Sequence, residues 1–99
     1  MKFGISYPDA EIGTDRIVIR DFAQAVEEMG YSHISVHDHV IQSATPRESV
    51  DMAKYYTRDF PHHEPMIVMA FLAGVTETIG INPAIVILPQ RQTVLMAKQ

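Results

Sequence analysis

The stretch from His33 to Val40 (HISVHDHV) constrains the chain more than any other. It alternates strictly. Ile34, Val36 and Val40 fall on one side of an extended strand and His33, Ser35, His37 and His39 on the other, because successive side chains on a strand point to opposite faces. An ordinary half-buried strand turns its polar row to water. In a parallel α/β protein both faces of the sheet are covered, so a polar row there points into a lined cavity such as the inside of a barrel. Asp38 and His39 would then lie at the carboxyl end of the strand, where such folds place their chemistry. The competing reading is a solvated histidine row on a sheet that encloses nothing.

The flanking sequence favours the parallel reading. Lys2 to Tyr7 (KFGISY) predicts a short strand closed by the turn signal Pro8-Asp9. Thr14 or Asp15 can cap a helix, and from Asp15 to Met29 the residues Val18, Phe22, Ala25, Val26 and Met29 form one apolar stripe. Glu27 and Glu28, in the last turn, are expected to be solvated, and Gly30 to be the left-handed stop. That completes a strand–helix–strand unit, which implies parallel pairing through a right-handed crossover.

Ile41 to His63 is long and mixed, with a short helix expected over Ser49 to Tyr56. Leaving the carboxyl end of the histidine strand, such a connection is placed to cover a site there. Glu64-Pro65 opens the next helix, with proline at its first position, and Gly80 is expected to close it. Residues Met66 to Ala73 are apolar all round, so this helix needs cover on more than one side. Ala84 to Leu88 (AIVIL) predicts a third, buried parallel strand, with Pro83 at its first residue or at an edge. Thr93 to Gln99 begins another helix.

Ninety-nine residues allow one domain, spanning 1–99, with a modest core. A net charge of −4 without a Lys/Arg cluster argues against nucleic acid. With no cysteine, disulfides and thiolate metal sites are excluded. The N-terminus lacks the apolar run of a signal peptide, and Met66 to Val75 is about half the length of a membrane span. A cytoplasmic location, away from the membrane, is the expectation.

Three βα units, the last cut short, make the expected fold class α/β: a partial (β/α)₈ barrel. A complete one has eight such units and needs roughly 250 residues. The residues themselves carry a resemblance. The opening Lys2-Phe3-Gly4-Ile5-Ser6, the helix Phe22 to Tyr31 (FAQAVEEMGY) and the strand ending Asp38-His39 resemble the luciferase-like monooxygenase family. So do Phe71 to Glu77 (FLAGVTE), Ile87 to Arg91 (ILPQR) and Ala97-Lys98-Gln99. The resemblance implies a TIM barrel binding FMN or a deazaflavin at its strands' carboxyl ends, and monooxygenation or hydride transfer as its chemistry. Asn82-Pro83 stands where members of the family commonly carry small residues such as Gly-Thr. The length departs too: the chain is expected to be the N-terminal portion of such a barrel, without its later phosphate-binding elements.

His39 resembles the family's active-site histidine and is the candidate catalytic residue, since imidazole exchanges protons near neutrality. Asp38 and His39 are the candidate cofactor-binding residues, Asp38 alternatively bonding backbone amides at the strand end. His37 and His39 share a face, which opens a distant alternative: a metal-dependent hydrolase whose third ligand comes from His62, His63 or another chain. Otherwise His62-His63 reads as a solvated loop, Arg91 as an exposed surface arginine or, alternatively, a contact to a cofactor phosphate, and Met66 and Met69 as core filler; no metal ligand is assigned.

Two main functions follow. One is a flavin- or deazaflavin-dependent oxidoreductase polypeptide, inactive alone, with no cofactor tightly bound to the isolated chain. The other is a non-catalytic, self-associating structural module. Both imply a homo-oligomer, dimer or tetramer, formed by strand pairing or by exchange of Ile41–His63. A complementary barrel fragment is an alternative partner.

Overall fold

A computed structural model describes residues 1–42, 44, 57, 58 and 60–99. Within them β1 (Gly4–Ser6), β2 (His33–Val36) and β3 (Gly80–Pro83) form one parallel sheet in the order β1-β2-β3. A one-turn helix α1 (Asp9–Ile12) follows β1, and α2 (Arg16–Glu28) connects β1 to β2. Helix α3 (Pro65–Val75) precedes β3, and α4 (Thr93–Lys98) follows it. The three-stranded α/β architecture expected from the sequence is present, and it matches part of a (β/α)₈ barrel. The helix expected over Ser49–Tyr56 lies outside the described residues.

Local chemistry sets the helix ends. The Asp15 carboxylate accepts from the Ile17 N–H at 2.8 Å and opens α2. Gly30, at φ +82°, supplies the left-handed residue that lets the chain turn back toward β2. Pro65 stands at the start of α3, and the Glu64 carboxylate accepts from Ile67 N–H at 2.9 Å.

The register aligns Ile5, Ile34 and Ile81 across the sheet. This face meets both long helices. Ile34 and Val36 are buried there with Ile19, Ala23 and Val26 of α2, Val68 and Leu72 of α3, and Tyr7. A fully buried leucine or isoleucine contributes about 1.5–3 kcal/mol, so these few side chains supply most of the apolar stabilisation. Val68 and Leu72 are the inward face of α3; on the opposite side Ile67 remains 70% exposed, beside exposed Ala70 and Ala73.

The other face carries two rows, Gly4–His33–Gly80 and Ser6–Ser35–Asn82. A Cβ added to Gly4 would fall 2.0 Å from His33 Nε2, so the imidazole lies directly over that glycine. Ser32 Oγ donates to the Phe3 carbonyl at 2.7 Å and therefore accepts from His33 Nδ1 at 2.9 Å, which fixes the ring. A layer filled by the middle strand and left to glycine on both neighbours is the packing of a barrel interior, where alternate strands fill each layer.

Three expected boundaries move. β2 stops at Val36 instead of Val40 because it loses both neighbours. On one side β1 leaves the ladder at Pro8, where Asp9 N–H turns back to the Tyr7 carbonyl; on the other the last bond runs from Ala84 N–H to Val36 O. His37, Asp38 and His39 thus lie beyond the strand, in the loop at its carboxyl end. The third strand is Gly80–Pro83, not Ala84–Leu88, because β2 offers pairing only as far as Val36. Pro83 accordingly ends an edge strand instead of starting one, and Ile85 is 67% exposed.

Gly80 begins β3 and does not close α3, which ends at Val75. The cause is on α2. Gln24 Nε2 donates to the Val75 carbonyl at 2.9 Å. The Glu27 carboxylate accepts from the N–H groups of Glu77, Thr78 and Ile79 and from the Thr78 hydroxyl, holding this segment out of a helix. Glu27 is a fastener, not the solvated residue expected.

Those N–H donors hold the Glu27 carboxyl below the usual carboxylate range, the bonds from Thr78 and Ile79 being the largest cause. A depressed folded-state pKa stabilises the fold above the unfolded value of about 4.3 and loses that contribution as pH falls further. Glu27→Gln is therefore expected to lower the urea midpoint at pH 7 and to flatten its decline below about pH 4. Parallel urea titrations of the two proteins across that range measure both effects.

Candidate functional site

The carboxyl ends of the strands bring together four stretches distant in sequence. Asp9 follows β1, Asp38 and His39 follow β2, His62 to Glu64 lead into α3, and Arg91 follows the turn after β3. Opposite charges and shared protons hold them to one another.

Asp38 anchors one half. Its side chain is fully buried, and burial of a carboxylate demands strong partners. Oδ2 accepts from Ile87 N–H at 2.9 Å and Arg91 Nε at 2.8 Å, and Oδ1 from Arg91 Nη2 at 2.8 Å. The remaining Arg91 nitrogen, Nη1, lies 2.7 Å from Glu64 Oε1. The Arg91 bonds hold the Asp38 carboxyl below its ordinary range, and Asp38 in turn makes Arg91 harder to deprotonate. Arg91 is thus largely buried and doubly paired, a correction to the exposed arginine expected. A 3₁₀ turn at Leu88–Gln90 brings it back over the end of β2.

Asp9 anchors the other half. Its Oδ2 accepts from His62 Nδ1 at 2.8 Å, and its Oδ1 from His63 Nδ1 at 2.7 Å and His63 N–H at 3.0 Å. His62-His63 is therefore no solvated loop. Hydrogen bonds to a buried carboxylate hold both rings inward. Tyr7 packs edge-on to His63 and Phe22, with centroids 5.7 and 6.0 Å away. Among the described residues its buried hydroxyl has no hydrogen-bond partner. Burial, reinforced by the Asp9 charge, pushes its ionisation well above the usual phenol range.

His39 joins the halves. Its ring lies 4.6 Å from the His62 ring, tilted by 35°. Burial, and then the proximity of His62, lower the His39 pKa below that of an ordinary imidazole, so the ring stays neutral at pH 7. His39 and His62 line a cavity of about 350 Å³ with Gln90, Arg91, Leu95 and Met96. That is within the range of small-molecule sites. Asp38 lies behind this wall and reaches it through Arg91. His37 is exposed. Among the described residues no three His, Cys, Asp or Glu side chains are grouped to hold a metal ion.

His39 thus stands on a cavity wall at the carboxyl ends of three parallel strands. The family model for luciferase-like monooxygenases matches residues 1–99. The chain belongs to the luciferase-like monooxygenase family. No curated protein and no solved structure matches it. Among the described residues, no helix of this luciferase-like chain is long and apolar enough to cross a membrane.

Of the residues singled out from sequence, His39 reaches the cavity and Asp38 supports its wall. The sequence does not single out Asp9, and it offers His62 and His63 only as a third metal ligand and Arg91 only as an alternative contact to a cofactor phosphate. Each has a bland local context, and the hint in the sequence is the run His62-His63-Glu64 between Pro61 and Pro65.

Removing one partner of a buried ion pair leaves the other charge uncompensated. Asp38→Ala is expected to destabilise the chain by about 3 kcal/mol, and Arg91→Met in the Asp38→Ala background to restore part of the loss. Urea unfolding of the two single variants and the double variant measures the coupling.

Proposed function

We propose that this chain is part of a flavin- or deazaflavin-dependent oxidoreductase of the luciferase-like kind, and that His39 is the residue that meets the bound cofactor or substrate. The observation that carries the reading is the His39 ring on the wall of the carboxyl-end cavity, where burial and the neighbouring His62 favour its neutral form. A neutral imidazole can donate a hydrogen bond from one nitrogen and accept a proton at the other.

The cavity residues fit part of a flavin. Val40, Pro65, Leu95 and Met96 offer apolar surface for a flat ring, while Gln90, Gln92 and His39 offer donors and acceptors for its polar edge. They fit its phosphate less well. Arg91, the cation among the described residues on this wall, is already engaged by Asp38 and Glu64. When bound, a flavin or deazaflavin would supply hydride transfer, and the flavin also oxygen activation. The chain's own part is to orient that ring, hold a proton at His39 and limit water through Leu95 and Met96. FMN titrated into the purified chain is expected to bind with a dissociation constant in the high micromolar range or weaker, and His39→Ala to weaken binding further. Submicromolar, stoichiometric binding, followed by flavin fluorescence, would show that the cradle is already complete.

The same structure supports self-association of what we take to be a single domain. Among the described residues β1 and β3 are open edges, and the outer face of α3 presents Ile67, Ala70 and Ala73 without cover. A second copy, as a dimer or a tetramer of dimers, covers these surfaces by pairing edges or by exchanging the segment before α3; a complementary barrel fragment is the other candidate. Light scattering at micromolar concentration is expected to give at least twice the chain mass of 11.1 kDa. Ile67→Glu is expected to shift the species toward the monomer. A folded monomer at all concentrations would rule out self-association, and with it the structural-module reading.

A further inference from the structure

Among the described residues, the Asp9 cluster is a group of buried titratable side chains that the proposed function leaves unused. Asp9 does not line the cavity, yet two consecutive histidines both turn their Nδ1 edges onto its carboxylate. Burying a carboxylate is costly without such donors. A carboxylate only accepts, so both rings carry their proton on Nδ1, and the opposite edge of each, with Nε2, points away from Asp9. The His62 ring then stands beside His39, and both line the cavity.

We propose that Asp9 and His62 are positioning residues for His39: the buried carboxylate fixes the His62 ring, and that ring sets which protonation form His39 presents to the cavity. This rests on the reading of His39 as the residue that meets the bound group. The charges around the pair come from every neighbouring element. Asp9 faces it from the start of α1, His37 and Asp38 from the loop after β2, His63 and Glu64 from the approach to α3, and Arg91 from beyond β3. Asp38 and Glu64 are both held by Arg91. His62 Nδ1 lies 2.8 Å from the Asp9 carboxylate, whereas a positive charge on His39 would lie against the His62 ring with His37 nearby. The arrangement therefore keeps His39 neutral through its neighbour as well as through burial.

Histidine-selective ¹⁵N NMR of the full chain, recorded against pH without any cofactor, tests this directly. In the wild-type chain His62 is expected to carry its proton on Nδ1. In His62→Phe, which keeps an aromatic ring against His39 but removes the titratable nitrogens, the His39 midpoint is expected to shift upward, toward that of an ordinary imidazole. An unchanged midpoint would mean that His62 only packs, and would overturn the proposal. So would a wild-type spectrum placing the His62 proton on Nε2, a measurement that needs no variant to fold. FMN titration of the same sample is scored separately. Absent flavin binding with the expected His39 shift refutes the cofactor and leaves the positioning intact, and the reverse result refutes the positioning alone.

Discussion

Everything in this chain depends on β2 being paired along both edges at once. The strands are three or four residues long, too short for either pair to persist alone. Ile34 makes the arrangement possible. It lies between Ile5 and Ile81 in the ladder, fully buried, and gives α2 and α3 a common surface to pack on. Where the pairing ends, at Val36, the chain is released from the strand's alternation. Asp38 and His39 are then free to be placed by other forces.

Those forces are largely carboxylates. Glu27, Asp9 and Asp38 each gather several donors from a segment about fifty positions away in the chain, and each fastens a loop that the small apolar core does not reach. Glu27 fixes the approach to β3, Asp9 the approach to α3, and Asp38 the return of the chain after β3. Two of these three fasteners lie at the carboxyl ends of the strands. The charged residues that close this end of the fold are therefore also the ones that surround His39, so stability and site chemistry share the same groups.

The face of the sheet turned away from the helices has the texture of an interior. His33 fills the space over Gly4, and Ser35 bonds Asn82 across the neighbouring row. With β1 and β3 at open edges and part of α3 uncovered, the described surface carries three unsatisfied tendencies: backbone groups seeking a ladder, apolar side chains seeking cover, and a polar layer seeking enclosure. A closed barrel answers all three.

Periodicity and punctuation in the sequence determined the strand–helix rhythm, the capping of α2 by Asp15, the proline start of α3 and the alternation that sends His33 and Ser35 opposite Ile34 and Val36. Each of these is set by residues within a few positions of one another, which is why they were legible. The resemblance carried by short motifs marked His39 and the family. The limits of β2 and β3 were not legible, because AIVIL has strand propensity but no partner beyond Val36, and pairing is decided by the neighbour. Nor was the end of α3, which Gln24 and Glu27 impose from another helix. Asp9 read as a turn residue, His62-His63 as loop and Arg91 as surface. Only the tertiary structure brings them together, because a buried ion pair is a relation between segments some fifty residues apart, and composition or spacing along the chain carries no record of it.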